Sequence, residues 1–111
     1  MKFREILPAG ARTFEIGARV QWADVDAARI AYFGVYWRFA ERVEMEMFER
    51  LGFPYDAQLG RDGMFLARVH VEADYHRPAL LGEDLLVRAH VEHVGKSSLR
   101  YAAVVFNERG G

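Results

Sequence analysis

No cysteine occurs in the 111 residues of this chain. That excludes disulfides, a thiolate nucleophile and any cysteine-based metal site. An excess of charge of either sign is also lacking: 15 Lys and Arg stand against 16 Asp and Glu, a formal net charge of -1. No basic excess suggests a nucleic-acid partner, and no RNA-binding or helix-turn-helix pattern appears. No apolar run approaches the roughly 20 residues of a membrane-spanning helix. The N-terminus, Met1 to Pro8, lacks the apolar core of a signal peptide, so cytoplasm is the expected compartment. Repeats, linkers and low-complexity tracts are absent.

What is present suits a soluble globular protein. Hydrophobic residues make up 51% and charged residues 28%, ordinary values for a folded domain. The length suits one domain over residues 1–111. A core this small is marginal by itself. With 14% aromatic residues, part of the apolar area is expected between subunits, in a homodimer or a dimer of dimers.

Periodicity outlines the elements. Phe14 to Trp22 alternates loosely and predicts a first strand. Ala23 to Phe33 reads as a loop. Tyr36, Phe39, Ala40, Val43, Met47 and Leu51 then fall at i, i+3, i+4, i+7, i+11 and i+15, the apolar stripe of a helix. Arg42, Glu46 and Arg50 follow i, i+4 spacing on another face. Gly52 stands where a helix-ending glycine belongs, and Pro54 stops continuation. From Phe65 to Tyr75, apolar Phe65, Ala67, Val69, Val71, Ala73 and Tyr75 alternate with Leu66, Arg68, His70, Glu72 and Asp74, predicting a strand with one dry face. Arg77 to Glu83 reads as a turn. Leu85, Val87, Ala89 and Val91 mark another strand, Val94 to Ser97 a tight hairpin, and Ser98 to Asn107 a last strand. Glu108 to Gly111 resembles a hairpin turn with no strand after it. One striped helix over an antiparallel sheet predicts an α+β layer architecture.

The chemistry concentrates at Asp24-Val25-Asp26, after the first strand and before the helix. An acid there lies near the positive end of the helix dipole and near free backbone N–H groups. A base or nucleophile can be held beside a polarised carbonyl in that arrangement. Both aspartates also suit plain turn or capping roles. A metal site would want further oxygen ligands or a well-spaced histidine, and neither is evident. Phosphoryl transfer of the haloacid dehalogenase type would want a parallel sheet and a longer chain. His70, His76, His90 and His93 lie on or beside separate strands, without metal-ligand spacing.

In the order and spacing of its parts the chain resembles the hotdog-fold acyl-CoA thioesterases of the 4-hydroxybenzoyl-CoA thioesterase type. The residues that carry this are Asp24-Val25-Asp26, Ala28, Ile30, Tyr36, Phe39, Glu41, Leu51-Gly52, Tyr75-His76-Arg77-Pro78, Gly82, Asp84 and Val94-Gly95-Lys96-Ser97-Ser98. The resemblance implies an antiparallel sheet wrapped around one long central helix, dimers formed by edge pairing, and active sites at the subunit interface. It implies Asp26 as the catalytic carboxylate and a backbone N–H at Phe33 or Gly34 as the oxyanion donor. It implies an acyl- or aroyl-CoA substrate and no cofactor. Another branch of the fold uses a helix glutamate, which makes Glu41 the backup candidate; Glu41 and Glu44 otherwise read as solvated or interface-facing acids. Tyr32, Phe33, Tyr36, Trp37 and Phe65 are candidates for an acyl or aryl pocket. CoA phosphates want cations and N–H donors near a turn, for which Arg77, Arg88, Lys96, Ser97 and Ser98 are the candidates.

Three departures stand out. Arg29 occupies a position where the family usually has glycine, where a side chain narrows or charges the entrance. Phe33 stands where some relatives have histidine, so only the backbone N–H survives as a contribution. The family's last strand is not found in the chain, which would leave two neighbouring strands unpaired. Either the fold is modified, a partner fills the place, or the natural chain is longer.

The expectation is therefore hydrolysis of a CoA thioester, with Asp26 as nucleophile or general base. The rival is a hotdog protein that binds acyl-CoA without turning it over. A hydratase on the same fold would carry a histidine paired with an acid in the loop–helix region, and that region contains none.

Overall fold

The computed structural model describes residues 13–52, 54, 67–96 and 98–107. In chain order these form strand β1 (Thr13–Arg19), a 3-10 turn (Trp22–Asp24), helix α1 (Val35–Arg50), strand β2 (Asp84–Val94) and strand β3 (Leu99–Asn107). The strands make one antiparallel sheet in the order β1-β2-β3. The first strand is shorter than its alternation suggests, because the chain turns at Trp22.

Register follows the hydrophobic pattern. Phe14 pairs with Ala89, Ile16 with Val87 and Ala18 with Leu85. A one-residue slip would send this whole set to the opposite face. Tyr101, Ala103 and Val105 continue the same face on β3. The other face is polar: Glu15 pairs in register with Arg88 and meets its Nη2 at 2.7 Å, and the Arg88 guanidinium lies 4.9 Å from the Phe106 ring centre.

Helix α1 covers the dry face. Val35, Phe39, Val43, Met47 and Phe48 are buried there, while Tyr36 and Leu51 pack against them half-buried. Burying a side chain of this class is worth about 1.5–3 kcal/mol, so the stripe, rather than helix propensity, holds α1. Gly52 ends the helix as predicted. Its φ of 80° lies in the left-handed region that glycine enters freely, and the Leu51 and Gly52 N–H groups return to Met47 and Glu49 carbonyls at 3.0 Å. Arg50 and Glu46 pair at 2.9 Å.

Two expectations need correction. Residues 67–75 form no strand, and Ala67, Val69, Val71, Ala73 and Tyr75 are exposed instead of lining a dry face. Alternation makes a strand only when a neighbour completes the ladder, and among the described residues neither this segment nor the outer edge of β3 has one. Phe65 and Leu66 lie outside the described residues, as do Ser97, Met1 to Pro8 and Glu108 to Gly111. The second correction concerns Glu44, which is not solvated. It is 4% exposed, and its Oε2 lies 2.8 Å from Arg68 Nη2.

Candidate active site

The loop after β1 is built by short-range hydrogen bonds. Val20 donates to Glu83 O at 3.0 Å and accepts from Gly82 N at 2.8 Å, carrying the β1-β2 pairing into the turn. Asp24 is buried at the end of the 3-10 turn; its Oδ2 accepts from the Gln21 N–H at 2.8 Å, and its carbonyl accepts from Tyr32 N at 3.1 Å. Arg38 Nη1 stands 3.8 Å from Asp24 Oδ1. Asp24 therefore shapes the loop, since its carboxylate and carbonyl are both used to close it.

Asp26 occupies a different environment. Val25 and Ala31 form an antiparallel bridge, Asp26 N donates to Ile30 O at 3.0 Å, and Arg29 N donates to Asp26 O at 2.9 Å. This is the pattern of a three-residue hairpin loop whose last member takes a left-handed conformation. That member is Arg29, with φ 63°. A non-glycine residue pays roughly 1–2 kcal/mol for that conformation, which explains why glycine is the ordinary choice there. The Asp26 side chain is exposed, and its Oδ1 accepts from the Ala28 N–H at 2.8 Å. One oxygen is thus fixed by an Asx turn. Among the described residues Oδ2 has no hydrogen bond.

The start of α1 faces the same end of the sheet. Among the described residues, neither the Phe33 N–H nor the Gly34 N–H donates to any acceptor, and Gly34 offers no side-chain cap. Both lie at the positive end of the helix dipole. Tyr32 and Phe33 are exposed, 40% and 72%, with rings edge to face at 6.5 Å. A Cβ at Gly34 would stand 2.7 Å from Tyr32 Cε2, so glycine there lets the ring fold over the backbone.

Residues 75–81 fasten this corner. Tyr75 Oη donates to Phe33 O at 3.3 Å, Ala79 N donates to Tyr36 Oη at 3.2 Å, Ala31 N donates to Ala79 O at 2.8 Å, and Leu81 N donates to Arg29 O at 3.1 Å. The Tyr75 and Tyr36 rings pack 5.5 Å apart. The Phe33–Gly34 peptide is planar, so fixing its carbonyl also fixes its N–H on the opposite side. Tyr75 is the residue that sequence reasoning missed in this role. Its only signal was its place ahead of His76-Arg77-Pro78.

The other candidates divide by location. Tyr36 is half-buried and tied to the Ala79 backbone, while Arg77 is exposed just before that contact. Trp37 is 37% exposed on α1, and Glu41 is exposed one turn further along. Arg88 lies on the polar sheet face with Glu15. Lys96 and Ser98 are exposed at the β2-β3 hairpin, where Gly95 N donates to Ser98 O at 2.8 Å. The hairpin is at the opposite end of β2 from the Asp26 loop, and β2 itself is about 33 Å long at strand rise. Phe65 and Ser97 lie outside the described residues. Among the described residues, no cluster of His, Asp and Glu could hold a metal, and no helix is long and apolar enough to cross a membrane.

A family model described as the thioesterase superfamily matches residues 29–111, beginning three residues after Asp26. No curated protein matches. Among solved structures, a probable thioesterase of Bartonella henselae is 24% identical with TM-score 0.72, over 90% of this chain and 96% of the other. The DHNA-CoA thioesterase of Staphylococcus aureus is 22% identical with TM-score 0.81, over 89% and 66%. A 1,4-dihydroxy-2-naphthoyl-CoA thioesterase of Synechocystis is 20% identical with TM-score 0.78, over 87% and 71%. The shared α+β arrangement is the hotdog fold.

Proposed function

The chain belongs to the thioesterase superfamily, a family of thioester hydrolases, and from that premise we propose that it cleaves an acyl- or aroyl-CoA thioester with Asp26 as the working carboxylate. The observation that carries this reading is the pair of N–H groups at Phe33 and Gly34, unengaged among the described residues, at the same end of the fold as the exposed Asp26 carboxylate. A thioester oxygen received there would develop negative charge against preorganised donors at a helix N-terminus, where each donor is typically worth on the order of 10²–10³ in rate.

Two routes share this geometry. In one, Asp26 Oδ2 attacks the carbonyl carbon, the carbonyl oxygen becomes an oxyanion held by the two N–H groups, and its collapse expels CoA thiolate. Water then splits the resulting mixed anhydride and restores the carboxylate. In the other, Asp26 takes a proton from water as the water oxygen attacks, and the tetrahedral species again expels thiolate. Either way the Ala28 N–H holds Oδ1 and presents Oδ2. The products are free acid and CoA, and none of the steps calls on a cofactor.

Lys96 and Ser98 can serve the same CoA only from a second protomer, given the span of β2. The proposed unit is accordingly a homodimer, or a dimer of dimers, with each site shared between chains.

The test is release of free thiol from a panel of acyl- and aroyl-CoAs, wild type against Asp26→Asn. We expect the variant to lose at least about a thousandfold in kcat, in keeping with removal of the reacting group. Equal activity would eliminate Asp26 and move attention to Glu41. Binding of CoA thioesters with no thiol released from any of them would make the protein a binder.

A further inference from the structure

Arg29 is an expensive residue for its position. Its φ of 63° is one that glycine or asparagine adopts with less strain, so the hairpin itself has no use for arginine. Nor does the surface use its charge. Arg19, Arg38, Arg50, Arg68 and Arg88 each meet a carboxylate, at 2.7 to 3.8 Å. Among the described residues Arg29 meets none, Asp26 included, and its side chain is exposed; Arg42, Arg77 and Arg100 meet none either, but none of those three is held at a positive φ. A non-glycine residue held in a sparsely populated conformation at a reactive loop points toward a role with a ligand.

The position narrows that role. The 2.9 Å bond from Arg29 N to Asp26 O closes a turn, which keeps the two Cα atoms within about 7 Å. The guanidinium therefore reaches the surroundings of the carbonyl that Asp26 attacks. It does not reach the nucleotide phosphates of CoA, which the pantetheine arm carries far from the sulfur. Resting on the thioesterase reading above, we propose that Arg29 determines specificity by selecting an acyl group that itself bears a negative charge, a carboxylate in the simplest case. A guanidinium suits this task because it presents a rigid fork of donors to a carboxylate.

The experiment compares glutaryl-CoA with valeryl-CoA, which match in chain length and differ in the terminal carboxylate. Wild type is expected to prefer glutaryl-CoA in kcat/KM. Arg29→Gly suits the left-handed backbone and should fold. In it the glutaryl-to-valeryl ratio should fall about tenfold, the order expected from losing a charge-assisted hydrogen bond. Arg29→Lys, which keeps the charge, should retain a preference for glutaryl-CoA. A ratio that does not change in Arg29→Gly overturns the proposal. So does a loss common to both CoA thioesters that disappears with the matching S-acyl pantetheines, because the charge would then serve the phosphates. If wild type hydrolyses neither these thioesters nor any member of the wider acyl- and aroyl-CoA panel, the thioesterase reading has failed separately. Tryptophan-fluorescence titration with the two CoA thioesters then decides Arg29 on binding alone: tighter glutaryl-CoA binding, lost in Arg29→Gly, supports it, and equal binding overturns it.

Discussion

Tyr75 and Asp24 do their work through the backbone, and neither would touch a substrate in the proposed mechanism. The Tyr75 hydroxyl fixes the Phe33 carbonyl at 3.3 Å, which aims the Gly34 N–H away from it and toward the place proposed for the oxyanion. Tyr75→Phe removes one ordinary hydrogen bond, worth about 1 kcal/mol, and should lower kcat about fivefold while leaving KM unchanged. A rise in KM at constant kcat would mean that Tyr75 only packs against Tyr36. What Asp24 and Asp26 share was legible in sequence, since both sit where turns favour aspartate. Which of them keeps an oxygen free depends on Gln21, Arg38 and Ala28 closing around them. Arg29 shows the limit of such reading. Its departure from glycine was visible, but the φ of 63° that gives the departure meaning appears only when the hairpin is drawn.

At the scale of elements, local periodicity revealed most of what local periodicity decides. Helix α1, its glycine stop, the inward set of β2 and the β2-β3 hairpin all followed from spacing. The segment 67–75 has equally regular alternation, yet it runs without a ladder, because pairing depends on a neighbour and not on the segment itself. Its start is anchored by a polar contact: Arg68 reaches the buried Glu44 on α1 at 2.8 Å, and beside that pair Tyr101 ties β3 to α1 by donating to the Ala40 carbonyl at 3.3 Å. Burial acts against the Arg68 charge, but Glu44 and Tyr101 together outweigh it and hold the guanidinium above its usual range. Burial first, and then the Glu44 carboxylate, push the Tyr101 hydroxyl well above its ordinary value of 10.0. The folded state therefore keeps a proton that the unfolded chain releases, and stability should fall as pH rises above that ordinary value. Below it this contribution is constant. Denaturant melts from neutral pH upward should show wild type losing midpoint in the alkaline arm, with Tyr101→Phe starting lower but declining less steeply. Parallel declines would mean that Tyr101 is not what the alkaline arm reports.

The whole molecule places its two candidate clusters at opposite ends of one strand. Asp26, Phe33 and Gly34 sit beside the Asp84 end of β2, and Lys96 and Ser98 lie beyond Val94. Motif spacing could name both clusters, but only the antiparallel register could set them at opposite ends of a strand about 33 Å long. This separation is what makes a shared site between two protomers testable. In a two-fold dimer each site would draw Asp26 from one chain and Lys96 from the other. Asp26→Asn and Lys96→Ala homodimers should each be impaired, the first in kcat and the second in KM. When the two are unfolded and refolded together in equal amounts, half of the dimers become mixed, and each mixed dimer carries one intact site. Thiol release measured below KM should then recover to about a quarter of wild type, by the statistics of random two-fold pairing. If Asp26 and Lys96 acted within one chain, no mixed dimer would hold an intact pair, and activity would stay at the average of the two variants.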